Sequence, residues 1–487
     1  MRTGGVEVVD DSMKQRCLLD IQKLLETHNK TLEDVGLPEI DANLIKTLQR
    51  KDVEEELEFC DSTLAEDANS RIQKMNPEQL AITNYALELI KSGSGGIISL
   101  DAPAGTGKTY VLETLLLKVR SEYLIALAMA TTGIAATLLP GGKTVHSRLK
   151  VPIHLDEETL ISPLLNDKSS LYLLLQSTSL IIIDEITMAN KLMLKAIDMS
   201  LRDLKKNDKP FGGIVTLVSG DWQQCLVVVQ KATREEIMSQ TVKALNIWRT
   251  SKKFKLTKNM RVTSKDREAY DFTQYLLSIG SGRENLKYKD IGNDMILIPP
   301  QFRSKAKNVQ ELCKSIFNEL LTMKESYSAN WNEFIKSNEW KKWISSRAII
   351  CPTNIDTEEI NQYLIKELPG QLHVFRSFDC LPNANESVHF PTEFLNSIYL
   401  SSIPPHILEL KVGCPIILTR NMDPSNGHTN GTRHIVTFIG KRLIKAEIAG
   451  GPYSGNEILL PRIKFKPEDK SIPFEFERCQ FPIRYIV

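Results

Sequence analysis

Four short apolar runs, each ending in polar or small residues, frame the first half of the chain. They are Ile97-Ile98-Ser99-Leu100, 123–130, Leu180–Asp184 and Ile214–Ser219. Each is near-continuous in apolar residues rather than alternating, as in strands buried on both faces of a parallel sheet. Between the first two runs, Val111, Leu112, Leu115, Leu116 and Val119 recur at helical spacing, and 133–139 reads as a short helix of small residues. Strands alternating with helices predict an α/β fold built on a parallel sheet.

The flanks carry other patterns. Residues 1–75 look helical, with Cys17, Leu18, Ile21, Leu24 and Leu25 on one apolar face and Leu44, Ile45 and Leu48 starting another. Asn76 followed by Pro77 is a helix start, a capping residue and then proline at the first position. Residues 268–345 mix polar loops with helices, among them an amphipathic one over Glu311–Met323. Arg347–Asn354 reads as the first strand of a second α/β unit. Beyond Lys411 the pattern turns to β, at 412–419, 432–439, 442–448 and 456–466, which predicts a small β-barrel inserted in that unit.

A chain of 487 residues with 42% apolar and 25% charged residues is a multidomain globular protein. Its net charge of +1 announces no polyanion partner, but the charge is unevenly spread. Eight acidic and no basic residues lie between Asp52 and Asp67; eight basic and one acidic lie between Arg249 and Arg267. The basic stripe is either a track for a phosphate backbone or a solvated face. The eight cysteines are scattered without a Cys-x-x-Cys pair, which argues against zinc and fits a reducing compartment. Tyr123–Gly142 is uncharged, but its Thr-Thr-Gly and Pro-Gly-Gly breaks make a strand, turn and helix a better reading than a membrane span.

The chemistry gathers at the strand ends. Leu100-Asp-Ala-Pro-Ala-Gly-Thr-Gly-Lys-Thr109 joins a strand to a helix, the context of a phosphate-binding loop. Gly105 and Gly107 let backbone N–H groups turn inward. Lys108 can reach the outer phosphates, and the Thr109 hydroxyl can hold Mg²⁺. Ala102 takes the position where the strict pattern has glycine, which is tolerable at negative φ. Asp184 can hold Mg²⁺ through water, and Glu185 can polarise an attacking water. The polar run Gly220–Gln224 could sense a γ-phosphate. Gln79 could read an adenine edge or be a plain exposed helix residue, and Arg261 could clamp a phosphate or belong to the stripe.

With these residues in view the chain resembles superfamily-one DNA helicases of the PIF (petite integration frequency) family, most of all the Helitron transposon-encoded branch. The resemblance rests on Asn76–Gln79, Asp101–Thr109, Thr131–Ser147, Asp184-Glu185, Gly220–Gln224, Leu256–Arg261, Leu410–Asp423 with Asn430-Gly-Thr432, and Gln480-Phe-Pro482. It implies a P-loop NTPase with two RecA-like parallel-sheet domains, the first over 76–255 and the second beginning at 256–410. The barrel would occupy 411–466, and 467–487 would return to the second domain. It further implies ATP and Mg²⁺ as cofactors and single-stranded DNA and DNA duplex junctions as partners. The implied activity is 5′–3′ unwinding coupled to ATP hydrolysis by a monomer in the nucleus, with family roles in DNA repair, recombination and telomere maintenance.

By residue, the resemblance implies adenine recognition by Gln79 and nucleotide binding by Ala102, Pro103, Ala104, Gly105, Thr106, Gly107, Lys108 and Thr109. Metal binding falls to Thr109 and Asp184, catalysis to Glu185, Gln224 and Arg261, and DNA contact to Thr131, Thr132, Thr144 and His146. Gln223 and Val227 replace the arginine and proline usual in the family. The family's Asn-Lys-Ser-Gln-Gly and Ala-Leu-Ser-Arg segments would follow Val487, so the second domain is expected to be C-terminally incomplete. Two other functions compete: a helicase-inactive, transposon-derived protein that only binds nucleotide or DNA, and a P-loop ATPase of different coupling.

Overall fold

The computed structural model describes residues 42–152, 169–224, 226–229, 232–262, 267–283, 295–327, 330–382, 390–400, 403–467 and 474–486, together with 18, 21, 32–38 and 155. The chain divides into two units, Met1–Ile296 and Leu297–Val487. The apolar face expected over Cys17–Leu25 lies mostly outside the described residues.

The first unit holds helices α1 (Ala42–Leu57), α2 (Leu64–Gln73) and α3 (Pro77–Ser92), then strand β1 (Gly96–Asp101) and helix α4 (Lys108–Ser121). Next come β2 (Ile125–Ala130), α5 (Gly133–Thr137), β3 (Lys143–Thr144), α6 (Val145–Leu149) and α7 (Ser170–Ser177). β4 (Thr178–Asp184), α8 (Lys191–Lys205), β5 (Val215–Gly220) and β6 (Lys252–Lys255) complete the frame. All four strands read from the apolar runs are present. They form a parallel sheet of order β3-β2-β4-β5-β1-β6.

Alternation along the strands splits the core into two layers. Ile98, Leu100, Ala126, Ala128, Leu180, Ile182, Val215 and Leu217 pack on α3 and α4. Leu127, Met129, Ile181, Ile183 and Val218 pack on α6, α7 and α8. Burying both faces explains why these strands read as continuous apolar runs. The register matters more for function. Asp101 pairs with Gly220 and Ala130 with Asp184, so the polar residues ending β1, β2, β4 and β5 meet along one rim.

β6 was not expected, because its sequence is mostly lysine. It lies at the sheet edge against β1, with Lys252, Lys253 and Lys255 exposed. Leu256 is buried beside β1, and its N–H donates to Asp101 O at 2.9 Å. The first unit therefore extends past residue 255. Lys252, Lys253 and Lys255 sit on the edge opposite β3, five strand spacings away, or roughly 24 Å. Lysines on an exposed edge strand also discourage pairing with another chain.

The second unit contains β7 (His373–Arg376), β8 (Phe378–Cys380), β9 (Ile407–Leu410), β10 (Pro415–Leu418), β11 (Arg433–Ile439), β12 (Leu443–Ile448), β13 (Glu457–Pro461), β14 (Ile463–Phe465), β15 (Glu477–Gln480) and β16 (Ile483–Tyr485). Every described pairing here is antiparallel. The sheet β13-β12-β11-β10-β16 draws its last strand from 467–487, so the expected insertion is not closed on itself.

Two expectations in this unit need correction. Arg347–Asn354 forms no strand: Ile350 is 95% exposed, and no described strand pairs with the segment. The helix over Glu311–Met323 is two, Val309–Ile316 and Leu320–Ser326. The chain turns between them and buries Phe317, which meets Trp343 edge-on at 5.9 Å, and Leu320. Among the described residues no helix is long and apolar enough to cross a membrane.

Candidate nucleotide site and nucleic-acid segment

The loop between β1 and α4 is held from three sides. Gly105 and Gly107 take φ of 82° and 86°, conformations that suit glycine alone at low cost. A Cβ on Gly107 would fall 2.4 Å from Gln79 Nε2, and one on Gly105 would fall 2.9 Å from Asn259 Oδ1. Thr106 is buried, and its hydroxyl donates to Pro103 O at 2.7 Å. Ala104 N–H donates to Asp221 Oδ2 at 3.3 Å. Ala102 is buried and keeps a negative φ, so the missing glycine costs nothing there. Helix α4 then begins at Lys108, its first-turn N–H groups without intrahelical partners and facing an anion's place.

Lys108 Nζ stands 2.9 Å from Asp184 Oδ1 and 2.5 Å from Glu185 Oε1. Burial by itself would lower the lysine, but the two carboxylates outweigh it and hold the ammonium above its ordinary range. Asp184 Oδ1 also accepts from the Ser219 hydroxyl at 2.7 Å and from Glu185 N–H at 2.8 Å. Glu185 has φ 55°, a left-handed conformation uncommon outside glycine. Its carbonyl is held by the Thr131 hydroxyl at 2.8 Å, so neighbouring groups over-determine the strained residue.

A hard cation suits this donor set. The described hydrogen bonds to the Asp184 side chain all fall on Oδ1, which leaves Oδ2 for a ligand, and the Thr109 hydroxyl lies one helical position past the lysine. Among the described residues no cluster of three or more His, Cys, Asp or Glu could cage a metal. Mg²⁺ needs no cage, because phosphates and water complete its shell.

Gln79 is not an exposed helix residue. It is 2% exposed, it closes a capping box with Asn76, and its Nε2 donates to Thr106 O at 3.1 Å. Its second amide hydrogen and second lone pair remain for a base. Gln224 is exposed; its Nε2 donates at 3.1 Å to Asp221 Oδ2, the same oxygen that holds Ala104. Arg261 is exposed beside the loop, brought there by Met260 N–H donating to Gly105 O at 2.7 Å.

The four residues read as DNA contacts divide. Thr131 braces Glu185. Thr132 and Thr144 cap α5 and α6, each accepting at 3.3 Å from a backbone N–H three residues on. His146 is half-buried, and burial lowers its pKa.

Sequence reasoning missed Ser219, Asn259 and the pair Glu78–Thr257, and did not single out Asp221 within the run Gly220–Gln224. Glu78 takes the Thr257 N–H at 2.8 Å and its hydroxyl at 2.5 Å, tying the arm that carries Arg261 to α3. Ser219 and Asp221 were findable: both lie at a strand end next to residues already singled out. Glu78–Thr257 carries no sequence signal, because the partners are 179 positions apart.

Together, strand, loop, lysine and paired carboxylates define a P-loop nucleotide-binding domain of the RecA-like kind. Residues 74–290 match the model of PIF1-like helicases, and residues 393–439 that of the 2B domain of DNA helicase Pif1. Over these two stretches the chain is similar to PIF1-like helicases.

Among curated relatives, the ATP-dependent DNA helicase Pif1 of Psychrobacter is 38% identical over 141 residues, 28% of this chain and 21% of that protein. The ATP-dependent DNA helicase PIF1 of Danio rerio is 25% identical over 372 residues, 75% of this chain and 46% of its own length. RRM3 of Saccharomyces cerevisiae, also an ATP-dependent DNA helicase, is 29% identical over 232 residues, 47% and 30% of the two chains. The chain thus spans less than half the length of these relatives. Among solved structures, Bacteroides Pif1 with ADP-AlF3 and single-stranded DNA superposes with a TM-score of 0.54 at 21% identity, covering 85% of this chain and 82% of that one. That likeness is one of fold.

Proposed function

We propose that the protein is an ATP-dependent DNA helicase that moves 5′ to 3′ on single-stranded DNA and opens duplex junctions. The observation that carries this is the Lys108–Asp184–Glu185 constellation, set on a P-loop inside the matched 74–290 stretch. In this reading the loop from Ala102 to Thr109 cradles the phosphates of ATP, and Gln79 reads the adenine. Thr109 and Asp184 hold Mg²⁺, which when bound neutralises phosphate charge.

A γ-phosphate competes with the two carboxylates for Lys108. Once the lysine turns to the phosphate, Glu185 is released to orient the attacking water. Gln224 and Arg261 face the γ-phosphate, and Asp221 links Gln224 to the loop, so phosphate loss is felt at both. Thr131, Thr132, Thr144 and His146 lie along the DNA path. The sequence motifs favour the Helitron-encoded branch, and the family resemblance implies a monomer with a nuclear role in DNA repair, recombination or telomere maintenance.

Strand displacement on matched 5′-tailed and 3′-tailed duplexes tests this reading. ATP-dependent release from the 5′-tailed substrate alone is expected. Release from the 3′-tailed substrate alone would reverse the polarity, and release from neither would leave a protein that binds nucleotide or DNA without unwinding.

A further inference from the structure

The acidic helix α1, which precedes the matched 74–290 stretch, reaches into it. Glu56 is 2% exposed, is ion-paired with Arg148, and lies 3.7 Å from Arg120. Both guanidiniums are buried as deeply as the carboxylate. Arg120 also donates to Pro140 O at 2.8 Å and Ala126 O at 3.1 Å, and lies 4.9 Å from the centre of the Phe59 ring. That ring stands 3.0 Å from where a Cβ on Gly141 would be. Glu55 meets Lys143 at 3.5 Å.

Residues 55–59 thus grip the Pro140–Arg148 segment at its turn, at β3 and at α6. One carboxylate serves two buried cations. Breaking such a group by removing one partner leaves uncompensated charge, which the segment relieves only by moving. Thr144 and His146 sit on that segment, between the residues Glu55 and Glu56 hold.

We propose that Glu56 is a positioning residue for DNA: it fixes Pro140–Arg148 in the geometry from which Thr144 and His146 meet the strand. The N-terminal helix is then a brace of the DNA path rather than an appendage. The proposal rests on the reading of Thr131–His146 as the DNA-contacting segment. Its signature is a split between ligands, because Glu56 touches neither the loop nor the carboxylates around Lys108.

The test compares the full chain with Glu56→Gln, Glu56→Asp and Glu55→Gln. ATP turnover is titrated with a dT16 oligonucleotide, and amide hydrogen exchange is followed across the first unit. For Glu56→Gln, the half-saturating oligonucleotide concentration should rise at least fivefold, with KM for ATP and DNA-independent turnover within twofold. Exchange over 138–149 should quicken at least tenfold while α4 keeps its protection. Glu56→Asp, which keeps the charge, should recover part of the DNA affinity. Glu55→Gln, which cuts only the more exposed pairs with Lys51 and Lys143, should stay within twofold of wild type.

An unchanged half-saturation in Glu56→Gln overturns the proposal, whatever exchange shows. If Glu56→Gln does not fold, Phe59→Ala replaces it, and the same split in smaller measure is required. A wild-type protein whose turnover ignores the oligonucleotide sinks the helicase reading and this proposal with it. Wild-type stimulation with an unaltered variant sinks the proposal alone.

Discussion

Ser219 donates its hydroxyl to Asp184 Oδ1 at 2.7 Å, so the end of β5 orients the carboxylate at the end of β4. Both residues are buried, which shields the bond from water. A hydrogen bond to a charged acceptor contributes about 1.5–3 kcal/mol. Ser219→Ala should therefore destabilise the first unit by about 1–2 kcal/mol and weaken Mg²⁺-dependent nucleotide binding. Urea unfolding checks the first effect and Mg²⁺ titration of nucleotide affinity the second. A variant matching wild type in both would mean that Ser219 does not orient Asp184.

Lys108 and Glu185 should separate binding from chemistry. Nucleotide at about 100 times its dissociation constant adds about 2.7 kcal/mol to stability. Wild type and Glu185→Gln should both show that shift in thermal melts with ATP·Mg²⁺, and Lys108→Ala should not. Turnover should vanish in Glu185→Gln, because in the proposed function the carboxylate orients water while binding rests on the lysine and backbone amides. Wild-type turnover in Glu185→Gln would remove it from the role of base.

The parallel sheet was legible because β1, β2, β4 and β5 are buried on both faces and leave unbroken apolar runs. The loop, Asp184 and Glu185 were legible because they sit where those runs stop. β6 was hidden, since an edge strand of lysines shows no apolar pattern. The missing strand at Arg347–Asn354 is the converse case. Ile349, Ile350 and Cys351 have β composition, but a strand exists only where another strand pairs with it. Glu56 could not be read at all: among eight acidic residues between Asp52 and Asp67, nothing local marks the one whose partners are Arg120 and Arg148.

His434 makes the second unit sensitive to acid. Burial holds its imidazole down to about 4 from an ordinary 6.5. Its Nδ1 meets Thr432 O at 3.0 Å and its Nε2 meets His428 Nδ1, also at 3.0 Å. Protonating His434 places a charge in this buried pair. The unfolded chain takes up the proton near 6.5 and the folded one near 4, so stability is full above 6.5 and falls as pH drops toward 4. The loss approaches on the order of 3 kcal/mol. Urea unfolding at about pH 7 and about pH 4.5 should show a smaller pH dependence for His434→Gln than for wild type. Equal dependence would assign the acid response to other groups.

The lysines of β6 should guard an edge rather than bind DNA. Replacing Lys252, Lys253 and Lys255 by serine should leave the salt dependence of oligonucleotide affinity unchanged and increase self-association. A lysine that does neutralise a phosphate would, on removal, flatten the log–log slope by about 0.7. A slope reduced by about 2 in the triple variant would put these lysines on the DNA.

The proposed function turns on one coupling, that the site around Lys108 hydrolyses ATP in response to single-stranded DNA. The most direct measurement is steady-state ATP turnover during titration with a dT oligonucleotide, for wild type and Lys108→Ala. Wild type should show saturable stimulation of at least tenfold, and Lys108→Ala should show no turnover at any oligonucleotide concentration. Turnover in wild type that is indifferent to DNA, or that survives in Lys108→Ala, would contradict this coupling.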